Sequence, residues 1–436
     1  MQRREFLKTV GGAVLAAASI GAVLSVVLCV GSIASADWPA FRGPGGAGFA
    51  AKGQKAPTLW SGEKNIRWKI AMDQPGNGSP IVVGGRVFVT SAEDKNGRKR
   101  SLYCFDASDG KQLWARTVEI DRVMPKHKTN NYSPTTPASD GKRVVVWHGS
   151  AGLHCYDLEG KPIWSRDLGE FRHRWGFGTS PILHKGRVIL HTGPGKRVFV
   201  AAINLPDGKT VWKTDEPIEG ARRLKDEQMG SWTTPVVIDT KDGARIIVSM
   251  AWRLVAYDAE TGKIVWTCEG NRHSRGALAY SAPIPVGDMI FVTGGFLGVS
   301  LGVRLGGSGD VTKTHRLWRF EKNPQNIGSG VTVGGYVYRA NARGGGLDCV
   351  DPKTGRVQWV HKGKLADSTY WASIVAVDGL LYATNQNATT IIYKPNPKKF
   401  EIVATNRLGG KCNATPAVSG GRIFIRTMKS LYCIGE

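Results

Sequence analysis

The side chains able to do chemistry in this 436-residue chain cluster by type as aromatic, amide and basic groups, with few acids among them. Asn131 and Tyr132, Arg174 and Trp175, Trp232, Arg275 and Tyr280, Trp371 and Lys411 stand in short irregular segments, each leading into a run of β character. Lys128, Asn130, His173, Gln228, His273, Asn326, Tyr370 and Asn413 accompany them. Aromatic rings and arginines dominate recognition surfaces, and loops set on a rigid frame are where binding resides. These nine residues are therefore candidates for binding. No catalytic residue is assigned. The carboxylates of the same segments, Asp226, Glu227 and Asp367, sit in no motif. The chain lacks H-E-x-x-H, G-x-S-x-G and the EF-hand loop, and no cysteine pair has zinc spacing with histidine, so no metal site is expected. Gly43, Gly45 and Gly48 match G-x-G-x-x-G, but no strand leads in and no helix follows. Lys313-Thr314 follows glycines without the P-loop glycine directly before the lysine.

These segments are set by a repeat. Ser101 to Trp114 reads SLYCFDASDGKQLW, and copies return about every 50 residues. Leu102 and Cys104 alternate with more polar neighbours, as a half-buried strand requires. Asp109-Gly110 closes a short hairpin through the positive φ that glycine permits, and Trp114 ends the return strand with a ring large enough to wedge against the next copy. Each copy opens with a small residue and proline, as in Ser79-Pro80, Thr136-Pro137, Ser180-Pro181, Thr234-Pro235, Ala282-Pro283 and Thr415-Pro416. The fifth copy carries a glycine-rich insertion at Gly306 to Gly309. The seventh has Thr405 or Asn406 about where tryptophan is expected. The eighth stops at Ile434 without a last strand. An orphan strand, Asn65 to Ile70, supplies it. The expected fold is all-β: an eight-bladed propeller of four-stranded antiparallel blades over residues 60–436, its last blade closed by the N-terminal strand.

Residues 37–59 form an irregular Gly/Pro-rich arm in which Trp38 and Phe41 are expected to pin the segment to the body. Before it, residues 1–36 read as an export signal. Arg3-Arg4-Glu5-Phe6-Leu7-Lys8 resembles the twin-arginine motif, and an apolar run to Val30 leads to Ala34-Ser35-Ala36. The run is long enough to span a bilayer if left uncleaved, giving membrane association as an alternative to release. A net charge of +24 keeps an exported protein soluble or draws an anionic partner, nucleic acid being the least expected after export. Cys104, Cys155, Cys349 and Cys433 fall at one site of the repeat and read as small apolar filler. Cys268 and Cys412 are left open to pairing.

With L-x-C/A-x-D-x-x-T-G-K-x-x-W in hand, clearest from Asp258 to Trp266 and Asp351 to Trp359, the chain resembles the pyrroloquinoline-quinone-type β-propeller repeat family from Ile66 to Cys433. That family includes quinone-dependent alcohol and sugar dehydrogenases and also a scaffold lipoprotein of outer-membrane β-barrel assembly. The resemblance implies one of two functions. The first is a non-catalytic, monomeric, exported scaffold that engages a protein or an anionic envelope component through one face. The alternative is a small oxidoreductase using pyrroloquinoline quinone (PQQ) with calcium. The adjacent cysteine pair of the larger alcohol dehydrogenases is missing here. The reading therefore leans away from an enzyme and expects no cofactor.

Overall fold

The structure, a computed structural model, describes residues 37–217, 229–293, 295–322, 324–342, 346–362 and 369–436. Residues 1–36, read from the sequence as an export signal, and Asp226, Glu227, Gln228 and Asp367 lie outside them.

Eight four-stranded antiparallel blades account for nearly every strand. Blade 1 comprises Ile81–Val83, Arg86–Ala92, Lys99–Asp106 and Gln112–Glu119. Blades 2 to 7 follow in chain order within residues 138–166, 182–215, 236–269, 284–320, 331–361 and 375–407. Blade 8 takes Ala417–Ser419, Arg422–Arg426 and Ser430–Ile434 from the C-terminal end, and Ile66–Ala71 from the N-terminal end pairs antiparallel with its last strand, Trp68 opposite Cys433 and Ile70 opposite Leu431. Closing the circle this way removes the unpaired edges of a linear array.

Each outer-strand tryptophan lies opposite a small residue of its own blade: Trp114 faces Cys104, Trp164 faces Cys155, Trp212 faces Ala202, Trp318 faces Gly302 and Trp359 faces Cys349. The ring then reaches the following blade and rests on its hairpin glycine. A methyl group added to Gly160 would stand 2.6 Å from the Trp114 ring, and Gly110, Gly208, Gly262 and Gly355 meet Trp68, Trp164, Trp212 and Trp318 in the same way. The indole N–H donates to a carbonyl of that hairpin, from Trp114 to Leu158 at 2.9 Å and from Trp164 to Leu205 at 2.8 Å. The repeat thus encodes a blade-to-blade latch, with glycine needed both for its positive φ and for the space beneath the ring.

A second link runs around the inside. The backbone N–H of Ser79 donates to the Thr136 hydroxyl, Thr136 to Ser180, and Ser180 to Thr234, at 3.0, 3.0 and 3.3 Å. It resumes from Ala282 to Ser329, Ser373, Thr415 and back to Ser79 at 2.9 to 3.0 Å. The Ser/Thr before each inner strand is therefore a joint in a circular belt. Ala282 has no hydroxyl, so the belt breaks between blades 4 and 5. Strand exchange strengthens that joint instead. Met229–Ser231 pairs in parallel with Ala277–Ala279. Outside, Gly309–Asp310 from the glycine-rich insertion adds to the outer edge of blade 4 beside Trp266.

One sequence expectation needs correction. In blade 7 the position equivalent to tryptophan is Ala404, opposite Ile392, rather than Thr405 or Asn406. The large residue there belongs to the third strand and the small one to the fourth. Trp60 joins the same buried cluster and its backbone N–H donates to Asn406 Oδ1 at 2.9 Å. The question left open for Cys268 and Cys412 is answered by the structure: both are free and buried, as are Cys104, Cys155, Cys349 and Cys433. Burial pushes the Cys104, Cys155, Cys349 and Cys412 thiols up to about 12, so they fill space rather than react.

Candidate site at the channel mouth

The segments that lead into the inner strands converge on the propeller axis. Together they line a cavity of about 470 Å³ just outside the belt, to which all eight blades contribute. The arm closes it from beneath. Trp38 bridges to Val82 in blade 1, Pro39 accepts from Ser139 in blade 2, and Ala50 and Gly48 exchange hydrogen bonds with Ala376 in blade 7. The arm therefore crosses the axis, and Phe41 forms part of the floor. Arg42 is 2% exposed, its guanidinium held by the Gly330 and Ala47 carbonyls. Burial lowers it to about 10, and it remains a cation at neutral pH.

Of the sequence candidates, Trp175, Trp232, Tyr280 and Trp371 line this cavity together. Trp232 is fixed in place. Its indole N–H donates to Gly176 O at 2.9 Å, its ring meets His173 edge-on at 5.1 Å, and the Tyr280 ring lies 5.7 Å away. Arg174, Arg275 and Lys411 are exposed residues of the same lead-in segments. Arg174 lies over the Trp175 ring at 5.5 Å, and Lys411 donates to Asn387 Oδ1 at 2.9 Å. Asn131 and Tyr132 do not line the cavity. Tyr132 is 8% exposed, packs under Gly97 and donates to Met124 O at 2.9 Å. Asn131 Oδ1 accepts from the Asn77 and Ser133 amides, which makes it a loop brace.

Sequence reasoning missed His127, Phe177, Asn77 and Gln325, all of which line the cavity. Asn77 and Gln325 follow no repeat signature, and His127 is brought in by stacking on Trp175 at 4.3 Å. His127 Nδ1 lies 2.8 Å from the Thr129 hydroxyl and 3.3 Å from the Thr129 backbone N. Burial, then Lys128, Arg174 and Lys126, hold this histidine below its ordinary value.

The lining is divided between amides and rings. On the side of blades 7, 8, 1 and 2 an amide chain runs from Gln386 Nε2 to Asn413 Oδ1 at 2.8 Å, from Asn413 Nδ2 to Asn77 Oδ1 at 3.0 Å, and from Asn77 Nδ2 to Asn130 Oδ1 at 3.4 Å. Asn130 Nδ2 donates on to the Trp175 and Phe177 carbonyls. Rings fill much of the remaining wall. Among the described lining residues there is no Asp, Glu, Lys or Arg, and no described group of three or more His, Cys, Asp or Glu is placed to hold a metal. Calcium takes roughly six to eight oxygen ligands with carboxylates prominent. Here the Asn77, Asn130 and Asn413 amide oxygens are already engaged within the chain. The described donor set does not fit calcium.

Solved structures place this architecture among known propellers. BamB from Moraxella catarrhalis superposes with a TM-score of 0.58 at 14% identity, covering 85% of this chain and 97% of that one. A europium-containing methanol dehydrogenase gives 0.67 at 10% identity, covering 92% and 98%. By sequence, the quinohemoprotein alcohol dehydrogenase ADH-IIG of Pseudomonas putida is 25% identical over 219 residues, which is 46% of this chain and 28% of that enzyme's length. The chain thus spans less than a third of that curated relative. The family model described as outer membrane protein assembly factor BamB matches residues 43–125, 98–229 and 196–434. The matches cover almost all of the propeller, and the chain belongs to the outer membrane protein assembly factor BamB family.

Proposed function

We propose that the chain is an exported, non-catalytic binding or scaffold module that engages a protein or an anionic envelope component through the lead-in face of its propeller. The observation that carries this reading is the composition of that face: exposed Arg174, Arg275 and Lys411 belong to the same lead-in segments as an aromatic cavity whose described lining has no charged side chain other than a histidine held toward neutrality. Cations around a desolvated aromatic patch make a binding surface, because the rings supply buried area and the charges steer and select the partner. The family's printed description, an assembly factor, points the same way. Nucleic acid is disfavoured by the proposed export. Residues 1–36 act as the export signal or, uncleaved, as an anchor.

A small oxidoreductase is the second reading, favoured by the aromatic wall on which a flat quinone could stack and by relatives named as alcohol dehydrogenases. The described donors argue against its calcium. The experiment for the first reading is capture from an envelope extract with purified protein and with the variant Arg174→Ala, Arg275→Ala, Lys411→Ala. The module reading expects a specific partner whose recovery falls at least several-fold in the variant and with added salt. Unchanged recovery would sink it.

A further inference from the structure

The cavity has an unusual hydrogen-bonding balance. Its asparagine oxygens are already engaged: Asn413 Oδ1 accepts from Gln386, Asn77 Oδ1 from Asn413, and Asn130 Oδ1 from Asn77 and from the Asn131 backbone. Donors remain available. Among the described residues the Trp371 indole N–H, the Tyr280 hydroxyl and the Gln325 amide N–H groups line the cavity with no hydrogen-bond partner. Burial pushes the Tyr280 phenol up, so it stays a donor at any physiological pH. The occupant that suits such a wall is apolar, rich in acceptors and poor in donors.

From this balance we infer that the cavity receives an extended, proline-containing segment of an acidic partner polypeptide. A proline residue offers an apolar ring and a carbonyl but no N–H, and its polyproline II backbone leaves carbonyls open to Trp N–H and Tyr O–H donors. A saccharide fits less well, since each of its hydroxyls brings a donor and the asparagine oxygens of the wall already accept within the chain. Acidic flanks match the surrounding cations Lys128, Arg174, Arg275 and Lys411, all exposed. This inference rests on the module reading and gives its partner a chemistry.

The test uses the full exported chain and a fluorescent synthetic peptide with central Pro-Pro flanked by aspartates. Controls are the same peptide with alanines for the prolines and one with lysines for the aspartates. Binding to the first peptide alone is expected, weakened about fivefold by Tyr280→Phe, which keeps the ring and removes one donor. Equal binding of the alanine or lysine peptide, or no binding of any peptide, overturns the inference. So does cellobiose binding that weakens equally in Tyr280→Phe. Failure here is distinguishable from failure of the module reading. Partner capture that survives Tyr280→Phe but is lost with the three rim cations leaves the module standing and removes only the proline segment.

Discussion

His191 ends the second strand of blade 3 with its ring fully buried and Nδ1 bonded to the Thr233 carbonyl at 3.0 Å. Burial drives it from the ordinary 6.5 to about 4. Between those values the unfolded chain binds a proton that the folded chain refuses, so stability is full above the unfolded value and falls as pH drops through the window. The loss from this one residue is on the order of 3 kcal/mol. His148, buried in blade 2, is depressed in the same direction by burial, then by His154 and Arg100. Replacing His191→Asn, which can keep the bond to Thr233, is expected to shrink the fall in denaturation midpoint between about pH 7 and pH 4.5; an equal fall would contradict it. At this scale the sequence was only partly legible. Trp175, Trp232, Tyr280 and Trp371, each ahead of an inner strand in the sequence, come together on the cavity wall. Nothing local separated them from Tyr132, whose lead-in position is the same but whose ring is taken up by Gly97 and Arg100. His127 was hidden because its place depends on stacking with a residue of the next blade.

The latch and the belt explain why the repeat looks as it does. Gly160→Ala puts a methyl 2.6 Å from the Trp114 ring at a φ of 83°, while Gly141→Ala at φ 87° meets open space. Both pay the backbone strain, so the first is expected to cost about 1 to 3 kcal/mol more than the second. Comparable midpoints for the two would contradict the latch. Trp114→Ala removes the ring from between Phe88 and Tyr156 and is expected to cost about 3 kcal/mol. The broken joint allows the reverse test. Ala282→Ser supplies the missing hydroxyl opposite the Thr234 N–H and is expected to stabilise the chain by about 1 kcal/mol, measured by denaturant titration; a loss of stability would show that the joint relies on strand exchange alone. The Asp-x-x-Thr-Gly-Lys-x-x-Trp spacing exposed the strands and hairpins because turn chemistry is local. The belt was less visible, since a Ser or Thr before proline shows its partner only when the blades stand side by side. Blade 7 misled the reading because its exchange of large and small residues, Ile392 for Ala404, leaves no tryptophan to count from.

For the whole molecule, circular counting was the part most open to reading: a last copy without its fourth strand and a first strand without a copy can only belong together. Deleting residues 60–70 removes Trp60 and all but the last residue of the strand Ile66–Ala71, exposes the edge of Ser430–Ile434, and is expected to yield an aggregating product without a cooperative melt. What the fold leaves undecided is chemistry, since one propeller serves both a scaffold and dehydrogenases. The proposed function for this ring is binding without catalysis. The most direct test is to titrate the purified chain with pyrroloquinoline quinone and calcium while recording the cofactor absorbance and dye-linked oxidation of alcohols and sugars. No bound-cofactor band and no turnover are predicted; a stoichiometric band with turnover would contradict the account.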